Sequence, residues 1–131
     1  MPEYMLLIYT PKEGEGALSP EEAQAEHPKW FAYTQALQDA GVLTAGDALQ
    51  PVETATTVRV QDGETVVSDG PFAETKEVLG GYYIIDVPNL DEALKWAARM
   101  PSAPRGPVEV RPVMVFDDIP TSAGERASTQ A

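Results

Sequence analysis

The carboxylate of Asp69 stands where an extended run, Glu64 to Ser68, gives way to Gly70-Pro71-Phe72. At a strand end on an otherwise apolar side it would lose hydration and hold its proton to higher pH, which suits general acid or base work. An Asp before Gly-Pro equally caps its own turn through backbone amides, and that needs no chemistry. In either case Pro71 restricts the loop and Phe72 is expected to anchor it in the core. Glu74, Lys76 and Glu77 follow, either as a cluster that orients a polar substrate or as a solvated face. His27 is the sole histidine. It titrates near neutrality and can take a proton, although its place before Pro28 also suits a surface or capping group. Trp30, Tyr33, Tyr82 and Tyr83 have the rings to line an aromatic pocket and the spacing to be core residues. The candidates are thus Asp69 and His27 for proton transfer, with Phe72, Lys76, Trp30 and Tyr82 for substrate binding.

Other chemistries lack the residues they need. With one His and no Cys, a zinc or non-haem iron site would have to be nearly all carboxylate. Haem through His27 would rest on fold analogy alone. No serine sits in a G-x-S-x-G context, and a glycine-rich phosphate loop is absent. No metal and no cofactor are expected. The 21 Asp and Glu against 9 Lys and Arg leave a net charge of -12, which repels phosphate backbones and anionic lipid, so neither nucleic acid nor membrane is an expected partner. No apolar run approaches the ~18 residues of a membrane span, the start lacks a signal-peptide pattern, and the cytoplasm is the expected location.

These groups need a scaffold, and 131 residues allow one core and one domain. The domain is expected over 1–117, with a polar, aperiodic, disordered tail over 118–131. Tyr4 to Tyr9 is apolar without alternation, as in a strand covered on both faces. Ser19-Pro20-Glu21-Glu22 is a capping pattern that opens a helix. Pro28 should kink or restart that helix near His27, and Gly41 should stop it. Trp30, Tyr33, Leu37 and Ala40 share a face of it. Extended runs follow at 42–49 and 54–60, and Asp62-Gly63 reads as a two-residue hairpin turn. Counting outward from the turn sets Gln61 opposite Glu64, Val58 opposite Val67 and Thr56 opposite Asp69. Tyr82 to Val87 is a further strand, and Asn89 opens a second helix with an apolar stripe of Leu90, Ala93, Leu94 and Ala97, Trp96 lying off it. Val108 to Met114 alternates as a half-buried closing strand.

The order is the split βαβ pattern of a ferredoxin-like α+β fold with an inserted β-hairpin. A sheet face left open on so small a domain invites pairing with a second copy, so a homodimer is expected.

The run Asp69-Gly70-Pro71-Phe72-Ala73-Glu74-Thr75-Lys76-Glu77, with Leu79-Gly80-Gly81-Tyr82-Tyr83 and Trp96-Ala97-Ala98-Arg99, resembles the DGPF branch of the YCII-related proteins. The resemblance extends from Tyr4-Met5-Leu6-Leu7-Ile8-Tyr9 to Val108-Glu109-Val110-Arg111-Pro112. It implies a dimeric α+β barrel, a superfamily that also holds cofactorless monooxygenases, muconolactone-isomerase-like enzymes and haem enzymes. Some YCII proteins are similar to lyases or dehydrochlorinases of chlorinated ring compounds, and DGPF members are often found beside extracytoplasmic-function sigma factors. YCII proteins commonly pair a His near the first long helix with an Asp. Spacing back from Ala40-Gly41 sets that His position at Trp30, with His27 about one turn earlier, while the Asp of the DGPF run is Asp69.

Two functions from different classes follow. In one, a pocket between the first helix, the sheet and the DGPF loop lets Asp69 move a proton on a small cyclic or aromatic substrate, as a lyase or isomerase without metal. In the other, the pocket or the acidic surface binds a ligand or a protein, in sigma-factor-linked stress regulation, and no chemistry occurs.

Overall fold

In a computed structural model, which describes residues 2–12, 17–73 and 75–116, the elements run β1 (Glu3–Pro11), α1 (Pro20–Asp39), β2 (Leu43–Ala48), a 3-10 turn (Val52–Thr54), β3 (Thr56–Gln61), β4 (Glu64–Asp69), β5 (Glu77–Asp86), α2 (Leu90–Ala98) and β6 (Val108–Pro112). Glu74 and the tail from 118 lie outside the described residues. β1 alternates: Tyr4, Leu6 and Ile8 are buried, and Met5, Leu7 and Tyr9 are half-buried on the other side. Antiparallel pairing carries both faces across the sheet. Tyr4, Leu6 and Ile8 lie beside Ile85, Tyr83 and Gly81, and beside Pro112, Val110 and Val108. The four-stranded order is β2-β5-β1-β6, that of a ferredoxin-like α+β fold.

Both helices cover the Tyr4–Leu6–Ile8 face. Leu37 from α1 and Ala93, Ala97 and Met100 from and just after α2 join Leu6, Ile85 and Val87 in one core. Leu6, Leu37 and Ile85 have no accessible surface, so truncation of any of them to Ala should cost about 2–5 kcal/mol. The stripe of α2 is rotated from the expected one. Leu90 and Leu94 are exposed, and the core face runs Ala93, Trp96, Ala97, Met100, because the Trp96 ring packs edge-on against Tyr33 at 6.1 Å.

α1 opens as expected. The Glu22 N–H donates to Ser19 Oγ at 3.1 Å, and the Ser19 N–H donates back to Glu22 Oε1 at 3.0 Å. It does not break at Pro28, which lies inside one continuous helix. The proline withholds a donor from the carbonyl of Gln24, and both residues are exposed, so solvent takes up the loss. Gly41 (φ 72°) then turns the chain into β2.

β3 and β4 form a separate two-stranded sheet in the register counted from the sequence, with Thr56 opposite Asp69 and Val58 opposite Val67. Asp62 and Gly63 both take positive φ, 51° and 80°, as the two-residue turn requires. β5 starts five residues earlier than the aromatic run suggests, at Glu77, because Val78 and Leu79 continue the pairing with Thr10 and Tyr9.

Candidate functional site

A cleft of about 630 Å³ lies between α1 and the sheet. Its helical wall repeats at 23, 26 and 27, 30 and 31, and 34, the i+3 and i+4 spacing that keeps one stripe facing the strands. Its floor is made of very small residues: Gly46 and Ala48 from β2, Gly80 and Gly81 from β5. Two of these glycines allow close packing. A Cβ on Gly46 would fall 2.7 Å from Tyr83 Cδ1, and one on Gly81 would fall 2.8 Å from the Asp47 carbonyl oxygen. Gly80 differs: a Cβ there would meet nothing closer than Thr10 Oγ1 at 3.8 Å, on the cleft side. Trp30 and Phe31 of α1 face this floor across the space, and Leu49 borders the floor beside Gly80, so the slot is mainly apolar and of a size that takes a small organic molecule.

Beside Thr10 and the Tyr82–Asp47 pair, two polar arrangements stand out in the lining. At one, Arg105 Nη1 donates to Glu26 Oε1 at 2.8 Å and to the Pro101 carbonyl at 3.3 Å, and both charged side chains are largely buried. The turn that carries Arg105 lies tight on β1. The Tyr9 N–H donates to the Pro107 carbonyl at 3.1 Å, and a Cβ on Gly106 would overlap the Tyr9 carbonyl oxygen. At the other, Thr34 Oγ1 and Tyr83 Oη share a hydrogen bond of 2.6 Å. Tyr83 is held in place by the edge of Tyr33, 5.5 Å away, whose own hydroxyl donates to the Trp96 carbonyl at 2.8 Å. Burial, and next the neighbouring Tyr83, push the Tyr33 hydroxyl well above the usual phenol range.

Of the residues singled out in the sequence, His27, Trp30 and Tyr82 line the cleft, and Asp69, Phe72 and Lys76 do not. His27 is exposed at its edge, its ring 6.4 Å from Phe31. Tyr82 donates to Asp47 Oδ2 at 2.7 Å, and strand alternation turns Tyr83, rather than Tyr82, toward α1. Asp69 ends β4 on the two-stranded sheet and is exposed, not set in the apolar surround expected of it among the described residues. Its loop is held by backbone and hydroxyl: the Gly70 N–H donates to the Ala55 carbonyl at 2.7 Å and Thr57 Oγ1 to the Gly70 carbonyl at 2.7 Å. Phe72 is 76% exposed and anchors nothing in this core, against expectation. Lys76 is exposed and accepts the Lys12 N–H through its carbonyl at 2.9 Å.

Sequence reasoning missed Glu26, Thr34 and Arg105. Glu26, Trp30 and Thr34 stand at i, i+4 and i+8 of one helix, a signal that was present in the spacing. Arg105 sits in an aperiodic turn between Pro104 and Gly106, where spacing carries none. Among the described residues no three His, Asp or Glu side chains converge as a metal site would need.

The arrangement can hold a flat ring between Trp30 and the glycine floor, with an imidazole and an ion pair at one end and a hydroxyl pair at the other. Residues 3–117 match the model of the YCII-related domain. The chain is also 40% identical over 115 residues to an uncharacterised protein of Rhizobium meliloti (strain 1021), an alignment covering 86% of this chain and 93% of that protein.

Proposed function

The chain belongs to the YCII-related family, and we propose that it binds a small cyclic or aromatic compound in the cleft between α1 and the sheet and moves a proton on it, without cofactor, in a lyase or isomerase reaction. We place it in the DGPF branch on the run from Asp69 to Glu77. The carrying observation is the slot itself: a mainly apolar space of about 630 Å³ that carries a buried ion pair and a hydroxyl pair among its lining. His27 is the proton-transfer group of this reading, since it lines the cleft and an imidazole can both take up and release a proton.

A homodimer belongs to the same reading. It is supported by the half-buried Met5 and Leu7 and their neighbour Ile84 on the sheet face away from the helices, and by Val58, Val60 and Val67, more than half exposed on one side of the two-stranded sheet. Asp69 lies on that valine side, so a second copy is the route by which its carboxylate would reach an apolar surface.

One observation favours binding without chemistry. Among the described residues no side chain hydrogen-bonds His27, so nothing orients the imidazole as a base is normally oriented.

Equilibrium dialysis with methyl naphthyl ketone tests the site. Wild type should bind it saturably and Gly80→Leu, which fills the floor, should not; equal binding by both would place the ligand elsewhere. Chemistry is then separated from binding by His27→Gln. Loss of solvent-deuterium uptake into bound ring ketones with binding retained supports proton transfer, and no uptake by wild type supports the binding-only reading.

A further inference from the structure

Two hydroxyl groups that bond to each other use one hydrogen and leave one over. Thr34 Oγ1 and Tyr83 Oη lie 2.6 Å apart and either can be the donor, yet in both arrangements one O–H remains. Among the described residues no acceptor takes it. Both side chains line the cleft and both are half-buried, so the spare hydrogen is available at its inner end. The Tyr33 ring fixes the position of the Tyr83 ring, and Thr34 is fixed by α1, so the donor is preorganised.

An unmet donor costs more than an unmet lone pair. Water accepts the hydrogen while the cleft is open. A ring that fills the slot displaces that water and must itself supply the acceptor or forfeit the bond. Resting on the cleft reading above, we infer that the ligand is a ring compound bearing an oxygen acceptor, of the ring-ketone or aryl-ketone class, and that Thr34 and Tyr83 together are its specificity-determining pair. The acceptor lies at the end of the slot away from the Glu26–Arg105 pair, since Thr34 is eight residues, about 12 Å of helix, beyond Glu26. A hydrocarbon of the same shape fills the same slot and leaves the hydrogen unpaired.

The test compares methyl naphthyl ketone with isopropenylnaphthalene, in which a CH₂ replaces the carbonyl oxygen at nearly constant shape, by equilibrium dialysis against the full chain. Wild type should bind the ketone about tenfold more tightly than the alkene, the factor one well-placed hydrogen bond supports. Tyr83→Phe with Thr34→Val should bring the two affinities together, the ketone losing its bond and the alkene no longer stranding a hydrogen, and circular dichroism checks that the double variant is folded. Should it fail to fold, Tyr83→Phe alone, which deletes one oxygen, must reduce the ratio. Equal binding of both probes by wild type, or a ratio that survives in the folded double variant, overturns the inference and leaves the cleft reading standing. Absence of binding by either probe overturns both.

Discussion

Arg105 Nη1 sits 2.8 Å from Glu26 Oε1, and this bond ties the turn entering β6 to α1 across 79 residues of sequence. The side chains are 17% and 15% exposed, so the pair is well screened from water without being dry. Removing one member leaves Glu26 with the longer contact to Lys29 at 3.8 Å, or Arg105 with the Pro101 carbonyl at 3.3 Å, in a largely buried setting. Arg105→Met or Glu26→Gln should each lower stability by about 1–3 kcal/mol, and the double variant should lose less than the two losses added. Urea unfolding at neutral pH measures this, and additive losses would mean that the two groups do not act as a pair.

The glycines of the floor separate stability from binding. Gly81→Ala sets a methyl against the Asp47 carbonyl and the Ala48 Cα, both backbone, so the β2–β5 pairing must shift and about 1–3 kcal/mol should be lost. Gly80→Ala meets no atom closer than 3.8 Å and its backbone needs no positive φ, so stability should hold or rise slightly while the cleft narrows. Thermal melts of the two variants, run side by side, decide it.

Tyr33 gives an alkaline signature. Burial, with Tyr83 second and Arg99 opposing, raises its proton affinity in the fold above the unfolded value near 10. The neutral hydroxyl is therefore favoured by folding. Its contribution is complete below about pH 10 and falls as pH rises toward the folded value, because the unfolded chain ionises first. Tyr33→Phe removes the bond to the Trp96 carbonyl and should cost roughly 1 kcal/mol at neutral pH. It should also flatten the loss of stability between pH 9 and pH 11, and an unchanged alkaline slope would contradict this assignment.

Much of the frame was legible because local chemistry decides it. The Ser19 and Asn89 caps, the Asp62-Gly63 turn and the alternation of 108–111 are short-range rules that hold in the structure, whereas the closing strand stops at Pro112, with Pro112 and Met114 exposed and Val113 half-buried. The errors arose where a tertiary partner overrides a local rule. Pro28 reads as a break, yet the loss falls on the exposed side of a helix held by Tyr33 and Leu37. Trp96 reads as off-stripe, yet the Tyr33 ring draws it inward. Phe72 reads as an anchor, yet among the described residues no core lies beneath the two-stranded sheet, and Phe72 is exposed. For the site, His27, Trp30 and Tyr82 were found by residue type, whereas Arg105 joins Glu26 only through folding.

In the proposed function the cleft between α1 and the sheet, and not the loop after β4, holds the ligand. Amide chemical shifts followed by NMR during titration with methyl naphthyl ketone test it directly. Saturable shifts at Thr34, Gly46, Gly80 and Gly81, with Asp69, Gly70 and Phe72 unmoved, are the expected result. Shifts confined to Asp69, Gly70 and Phe72 would contradict it and return the site to the loop that Asp69 begins.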